Sequence, residues 1–328
     1  MLAKRARVSI WISGVILLAA LIGGAYWIWS SRPPAVPTIA FIPKTEGAML
    51  SEVAHFGART AAESMKYRIY WNTPTAESDV AGQVSLIDRV ARGKYKGLIL
   101  APNHPFAILT PLRRALAAGL PVVVVSAPLN LPTGDKLGYI VNDDEMMGEL
   151  AAAEISRLIN GRGEIALVGL ARAAPGVANR ARGAERFLAS QFPEIRVVRR
   201  AGGAYNIQSA EDQTNESIAL NPELKAILSL TAASTRGAYA ALKSRSLKQP
   251  IQLVGCEQDS DLIGYLDAGA IAAIAAEDAY RMGQRAVEYI SGAWFGQPIP
   301  AMTVVPPLLI TKRNLNSPEV SRFTSFPR

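Results

Sequence analysis

The chain of 328 residues is long enough for two domains or for one protein with two lobes. Its composition, 49% hydrophobic, 19% charged and 7% aromatic, excludes disordered, collagen-like and coiled-coil chains. One cysteine and two histidines exclude an intrachain disulfide framework, a cysteine-built zinc site and a histidine-rich metal cluster. Half of the formal net charge of +8 comes from four basic residues within the first 37 positions, and the +4 of the remainder does not indicate nucleic acid as a partner.

The N-terminal segment has the pattern of a membrane anchor. The apolar stretch at 10–29 lies between Arg7 and Arg32 without any charge and is long enough to cross a bilayer as a helix. The basic residues within 1–9 predict a cytoplasmic N-terminus and an exported remainder. A cleaved signal peptide is the alternative, but the bulky residues at 26–29 stand where cleavage needs small ones. The pattern therefore favours an uncleaved anchor, followed by a proline-rich linker at 30–37.

From Thr38 onward, short apolar runs alternate with amphipathic stretches. The ten predicted strands lie at 38–43, 67–71, 97–101, 121–126, 137–141, 164–169, 195–200, 226–230, 251–256 and 271–276. The nine predicted helices lie at about 48–64, 77–92, 107–118, 144–160, 178–190, 207–219, 234–244, 259–268 and 278–292. This alternation predicts an α/β fold with parallel sheets. The ten strands fit one wide sheet or two sheets of five, and a second round of the pattern from about 138 favours two similar lobes.

Residues that follow the strands are the candidate ligand contacts, because ligands of open α/β sheets bind beyond the carboxyl ends of the strands. Hydroxyls, carboxylates and an arginine predominate there, which suits a small polar ligand with several hydrogen-bonding groups. The candidates are Glu46, Leu50, Ser51, Ser126, Arg180, Tyr205, Thr231, Glu257 and Glu277.

A series of short motifs gives the chain a family resemblance. The motifs are Thr38-Ile39-Ala40-Phe41-Ile42-Pro43-Lys44, Gly97-Leu98-Ile99-Leu100-Ala101-Pro102, Asn142-Asp143 with Gly148, Arg180-Ala181-Arg182-Gly183, and Val254-Gly255-Cys256-Glu257. In this order and spacing, the chain from Thr38 to about Arg313 resembles the type I periplasmic binding proteins of the ribose-binding and related sugar-binding group.

The resemblance implies two Rossmann-like lobes that close on a ligand and are joined by three crossovers, near 140–143, 276–279 and 304–308. Lobe 1 then comprises 38–141 plus 278–305, and lobe 2 comprises 142–277 plus 306–328.

The resemblance also assigns roles to individual residues. Arg180 matches the arginine of the second lobe that contacts the ligand, and Tyr205 matches the aromatic that caps it. Glu257 stands at the position of an aspartate, Glu277 at that of an amide, and Thr231 at that of an asparagine.

The first lobe departs further from the family pattern. Ser126 and the alanine after it stand where the family has an Asp-Arg pair, and Leu50 and Ser51 stand where the family has stacking aromatics. These departures argue against ribose and against any simple pyranose held between two rings.

Several candidates also have a purely structural interpretation. A salt bridge within the second lobe is the alternative for Arg180, although Arg182 suits that role better, and Arg180 is expected at the edge of the cleft rather than in the core. Glu257 and Glu277 are alternatively helix caps or, less simply, the acid pair of a glycosidase. Cys256 follows a buried strand, which predicts an inert, reduced thiol.

The predicted function is therefore that of a non-enzymatic solute-binding protein, anchored to the outer face of the cytoplasmic membrane. It is expected to be monomeric, to need no cofactor or metal, and to deliver a sugar or sugar-like molecule to an ABC transporter permease. The alternative is a ligand-sensing subunit that signals to a membrane kinase or chemoreceptor.

Overall fold

The computed structural model describes residues 36–171, 174–202, 206–246 and 249–324. The predicted anchor at 10–29 and its basic flank lie outside the described residues. Across the described part of the chain, no helix is long and apolar enough to cross a membrane. Pro37–Arg328 forms one compact unit, which contains all the elements below.

Strands and helices alternate along this unit. The strands are β1 (Thr38–Ile42), β2 (Arg68–Trp71), β3 (Gly97–Leu100), β4 (Val122–Ser126), β5 (Leu137–Asn142), β6 (Gly163–Leu170), β7 (Ile195–Gly202), β8 (Leu224–Ser229), β9 (Gln252–Cys256), β10 (Ala273–Ala276), β11 (Met302–Val305) and β12 (Leu308–Thr311). The helices are α1 (Met49–Ser64), α2 (Val80–Arg92), α3 (Leu109–Ala117), α4 (Asp144–Leu158), α5 (Pro175–Gln191), α6 (Ile207–Leu220), α7 (Ala232–Lys243), α8 (Ser260–Asp267), α9 (Ala279–Trp294) and α10 (Pro318–Thr324).

The strands form two sheets of six. The first sheet has the order β11-β5-β4-β3-β1-β2 and is parallel throughout. The second has the order β12-β10-β9-β8-β6-β7. Each sheet carries an apolar core cluster on both faces, which explains the uninterrupted apolar runs of strands such as β4. The predicted two-lobe α/β fold is confirmed.

The second sheet differs from the all-parallel prediction at one edge, because β12 pairs antiparallel with β10. Only Pro306 and Pro307 separate β12 from β11, the edge strand of the first sheet. A chain that leaves the first sheet at its carboxyl edge and reaches the second sheet within two residues enters at the facing carboxyl edge. It must then run against the other strands.

A closely packed helix pair lies in each lobe, α1 with α9 and α4 with α5. An added Cβ at Gly283 of α9 would lie 1.9 Å from the carbonyl oxygen of Ala54. An added Cβ at Gly148 of α4 would lie 1.9 Å from the carbonyl oxygen of Arg180. Since only glycine permits these approaches, Gly148 fixes Arg180 of α5 beside the start of α4.

Candidate functional site

Arg180 is the centre of an ionic cluster at the carboxyl edge of the second sheet. Only 4% of the residue is exposed, and its guanidinium faces three carboxylates. Nε donates to Asp144 Oδ1 at 2.8 Å, Nη1 to Glu257 Oε1 at 2.5 Å, and Nη2 to Glu277 Oε1 at 3.3 Å. Nη1 also donates to the Leu230 carbonyl oxygen at 3.0 Å. We call Arg180, Asp144, Glu257 and Glu277 the Arg180 cluster.

The sheet topology explains why these residues meet. Leu230, Glu257 and Glu277 directly follow β8, β9 and β10, which are neighbours in the second sheet. Carboxyl ends of neighbouring parallel strands lie along one edge, so residues 20 or more positions apart converge there. Asp144 opens α4 immediately after the chain leaves β5, and the close α4–α5 packing places Arg180 against it.

The backbone at two strand ends is left-handed. Glu257 has a φ of 67° and Ser126 a φ of 74°, each at a residue other than glycine. The two residues stand at matching places in the two sheets, at the ends of β9 and β4. Such a conformation costs about 1–3 kcal/mol and persists where surrounding structure imposes it. Glu257 is held by a second bond, because its Oε2 accepts from the Ala232 backbone N–H at the start of α7 at 2.9 Å.

Burial shifts the pKa values in the Arg180 cluster. Desolvation raises the pKa of Glu277 to about 7, against the opposing charges of Arg180 and of Lys44 in the first lobe. Burial also opposes protonation of Arg180, but the charges of Glu257, Asp144 and Glu277 outweigh it and raise the pKa of Arg180 further. The guanidinium is therefore always charged, and it faces three carboxyl groups.

The prediction that Arg180 lies outside the core was wrong, because the residue is buried. Four of its five N–H groups are already bonded within the protein, and the residue is buried. The salt-bridge role expected for Arg182 is also present, since Arg182 Nη1 bonds Glu145 Oε1 at 2.9 Å on the exposed side of the helix pair. Arg180 is buried because α4 and α5 pack closely at Gly148. The sequence around Arg180 gives no sign of this contact between two helices.

The other predicted contacts divide between the two lobes. Thr231 is buried, and its hydroxyl takes part in a capping box with Ser234 at the start of α7. Tyr205 lies outside the residues that the structure describes. The remaining predicted contacts lie in the first lobe: Glu46 and Ser126 are exposed, Ser51 is half-buried, and Leu50 is half-buried against the core.

Sequence reasoning missed Asp144 and Asn142. Asn142 is the last residue of β5 and Asp144 follows two positions later, where the rule that selected the other strand-end residues also applies. Asn142 Nδ2 donates to Asp144 Oδ1 at 3.1 Å, the same oxygen that accepts from Arg180.

Two buried glutamines that connect the strand-end loops were also missed. Gln83 of α2 donates from Nε2 to the carbonyl oxygens of Pro43 and Ala101, which ties the loops after β1 and β3 together. Gln258 makes two bonds to the backbone of Glu277, one to its N–H and one to its carbonyl. The sequence did contain a sign of the role of Gln83, because its amide lies on the apolar face of the helix α2.

Cys256 is fully buried, and burial raises the pKa of its thiol to about 12. The predicted burial of Cys256 is confirmed, and a buried thiol with a raised pKa is expected to be unreactive. Within the described ranges, no group of three or more histidine, cysteine, aspartate or glutamate residues is arranged to hold a metal ion.

The family model described as a periplasmic binding protein domain matches residues 39–298. The D-apiose import binding protein of Actinobacillus succinogenes is 25% identical over 234 residues, which cover 70% of this chain and 73% of that protein. The D-allose-binding periplasmic protein of Escherichia coli is 23% identical, with 63% of this chain and 68% of that protein covered.

A solved structure shares the fold. The arabinose-binding protein AraP of Geobacillus stearothermophilus superposes with a TM-score of 0.80 at 19% identity, over 86% of this chain and 99% of that one.

Proposed function

Because the chain belongs to the periplasmic binding protein domain family, we propose that it is an extracytoplasmic solute-binding protein. It captures a small sugar or sugar-like polyol between its two lobes and delivers that ligand to an ABC transporter. The curated relatives support this ligand class, since their names refer to apiose and allose.

The Arg180 cluster is the observation that carries the proposal. Its acceptors converge at the edge where ligands of α/β sheets bind. The side chains of Asp144 and Glu257 are 20% and 19% exposed, so a ligand can reach them. Carboxylate oxygens are strong acceptors for sugar hydroxyls. The remaining N–H of Arg180 Nη2 is a donor to a ligand oxygen.

The three crossovers between the sheets support capture by closure. The chain passes between the lobes after β5, after β10 and between β11 and β12. A few residues at such connections absorb the change in backbone dihedrals when two lobes rotate. On closure, the polar first-lobe edge with Ser126 meets the Arg180 cluster.

Binding without chemistry fits the carboxylates better than a glycosidase does. A glycosidase needs one carboxyl that donates a proton and a second that acts as base or nucleophile. Glu257 and Glu277 instead bond the same guanidinium, and Glu257 bonds a helix N–H as well. Because both oxygens of Glu257 accept bonds within the protein, Glu257 is not free to act as a base or nucleophile.

The decisive experiment is calorimetric titration of the full chain in detergent with a panel of pentoses, hexoses and cyclic polyols, with melting followed by tryptophan fluorescence. A true ligand at 100 times its dissociation constant should stabilise the fold by about 2.7 kcal/mol. If no member of the panel binds or stabilises the protein, the proposed function is wrong.

The proposal includes an N-terminal anchor at 10–29. Mass spectrometry of the protein from membranes should find the N-terminus intact. A mature chain that begins between 27 and 37 would show a cleaved signal instead.

A further inference from the structure

The Arg180 cluster has an excess of negative charge. One guanidinium faces three carboxylates: Asp144, Glu257 and Glu277. Lys44 of the first lobe also acts on Glu277, but Lys44 has its own acidic neighbour, Glu77, at 4.0 Å. Among the described residues, the charge on this edge is therefore not balanced within the protein.

The cluster also has acceptors without donors. Both oxygens of Glu257 are bonded, but Asp144 Oδ2 and Glu277 Oε2 have no donor in the part of the chain that the structure describes.

Asn142 independently indicates that a hydrogen-bond donor from a ligand belongs at this edge. The residue is more than nine-tenths buried, with 8% exposure, and its Nδ2 bond to Asp144 holds the amide against the cluster. Its Oδ1 has no partner. A buried acceptor left unpaired costs about 1–3 kcal/mol, so a ligand that supplies a donor here is stabilised.

The chemistry of the missing group follows from these two observations. A hydroxyl brings one donor and no charge, whereas a protonated amine brings three donors, no acceptor and one positive charge. The amine matches three acceptors that lack donors and offsets the excess negative charge.

We propose that the ligand carries a protonated amine, which binds Asp144, Glu277 and Asn142 in the Arg180 cluster. The substrate class is thus an amino sugar or amino polyol. This inference rests on the proposed function and narrows its ligand.

Matched pairs of compounds test the proposal. The full chain is titrated with D-glucosamine, D-galactosamine and D-mannosamine, with their neutral parents, and with their N-acetyl derivatives, in which the charge is removed. At least one amine should bind tenfold or more tightly than its neutral parent and its N-acetyl derivative. If neutral sugars bind as tightly as their amines, or if only neutral sugars bind, the inference is overturned while sugar binding stands. If neither these compounds nor the wider neutral panel binds, the proposed function fails as well.

Two variants that remove one charge each separate the charge effect from a shape effect. Glu277→Gln should weaken the amine by about 10- to 100-fold, as expected for a lost charged hydrogen bond. It should weaken the neutral parent sugar clearly less, so the preference for the amine over its neutral parent should fall. The control is Glu145→Gln, which removes the same charge from the salt bridges with Arg182 and Arg186. The control should bind the amine within twofold of the parent protein.

Equal weakening of amine and neutral sugar by Glu277→Gln would overturn the charge argument. Circular dichroism and melting establish that each variant is folded. If Glu277→Gln does not fold, Asp144→Asn provides the same comparison.

Discussion

Replacement of Arg180 by alanine tests whether the Arg180 cluster supports the fold as well as the site. The substitution removes four hydrogen bonds and leaves Asp144, Glu257 and Glu277 facing one another without a cation. Breaking a buried ion pair by removing one partner costs about 3–5 kcal/mol.

Two features of the site set the magnitude. Three carboxylates lose their partner, which raises the cost, but Asp144 and Glu257 are partly hydrated and Glu277, with a pKa of about 7, takes up a proton readily. We therefore expect a loss of about 3–5 kcal/mol at pH 7 and a fall in Tm on the order of 10 °C.

Urea unfolding of the ligand-free protein measures this loss. The deficit should be largest above pH 7 and shrink as the pH falls, because without the charge of Arg180 the pKa of Glu277 rises further above its unfolded value. Stability from such groups is present at low pH and lost as the pH rises through the folded pKa.

Arg182→Ala is the matched control. The Arg182 side chain is 61% exposed and bonds Glu145 at the surface, so its loss should cost less than about 1 kcal/mol. If Arg180→Ala unfolds at the same urea concentration as the parent protein, then Arg180 is a ligand contact without a structural role, and the reasoning from burial is refuted.

Three further predictions concern the pH profile and the backbone. The pKa of Glu277 is raised from 4.5 to about 7 in the folded state, so its stabilising contribution is complete below pH 4.5 and is lost as the pH rises through 7. Glu277→Gln should flatten this part of the profile of urea midpoints, and an unchanged slope would contradict the assignment. Gly148→Ala places a Cβ 1.9 Å from the Arg180 carbonyl oxygen and should cost about 1–3 kcal/mol or more in urea unfolding; parent-like stability would show that the helices separate freely. Ser126→Val should cost about 1–3 kcal/mol because a β-branched residue resists a φ of 74°, whereas Ser126→Gly should not; equal melting temperatures for the two would argue against the left-handed backbone.

Most of the fold could be predicted because buried parallel strands have a strong local pattern. The valines of β4 form a continuous apolar run and are all buried. The sequence pattern did not predict β11, β12 or α10. The strand β11 has only four residues, two of which, Met302 and Val304, are large and exposed, so it lacks the pattern of a buried strand.

The site was less predictable, because strand-end position locates a residue but not its partners. Arg180, Glu257 and Glu277 were all found by that rule, but the contact between Arg180 and Asp144 spans 36 positions and depends on the glycine at 148. Burial of Arg180 arises from packing between two helices, so it could not be read from the residues around it.

The Pro306–Pro307 connection makes the third crossover mechanically unlike the other two. Proline fixes φ near −65° and also restricts the residue before it, so Val305, Pro306 and Pro307 leave little torsional freedom between β11 and β12. The crossovers that follow β5 and β10 contain no proline. The diproline segment is therefore a short strut of nearly fixed length. In the proposed closure, one lobe twists about this strut, and the backbone at 142–144 and 276–279 absorbs the change in dihedral angles.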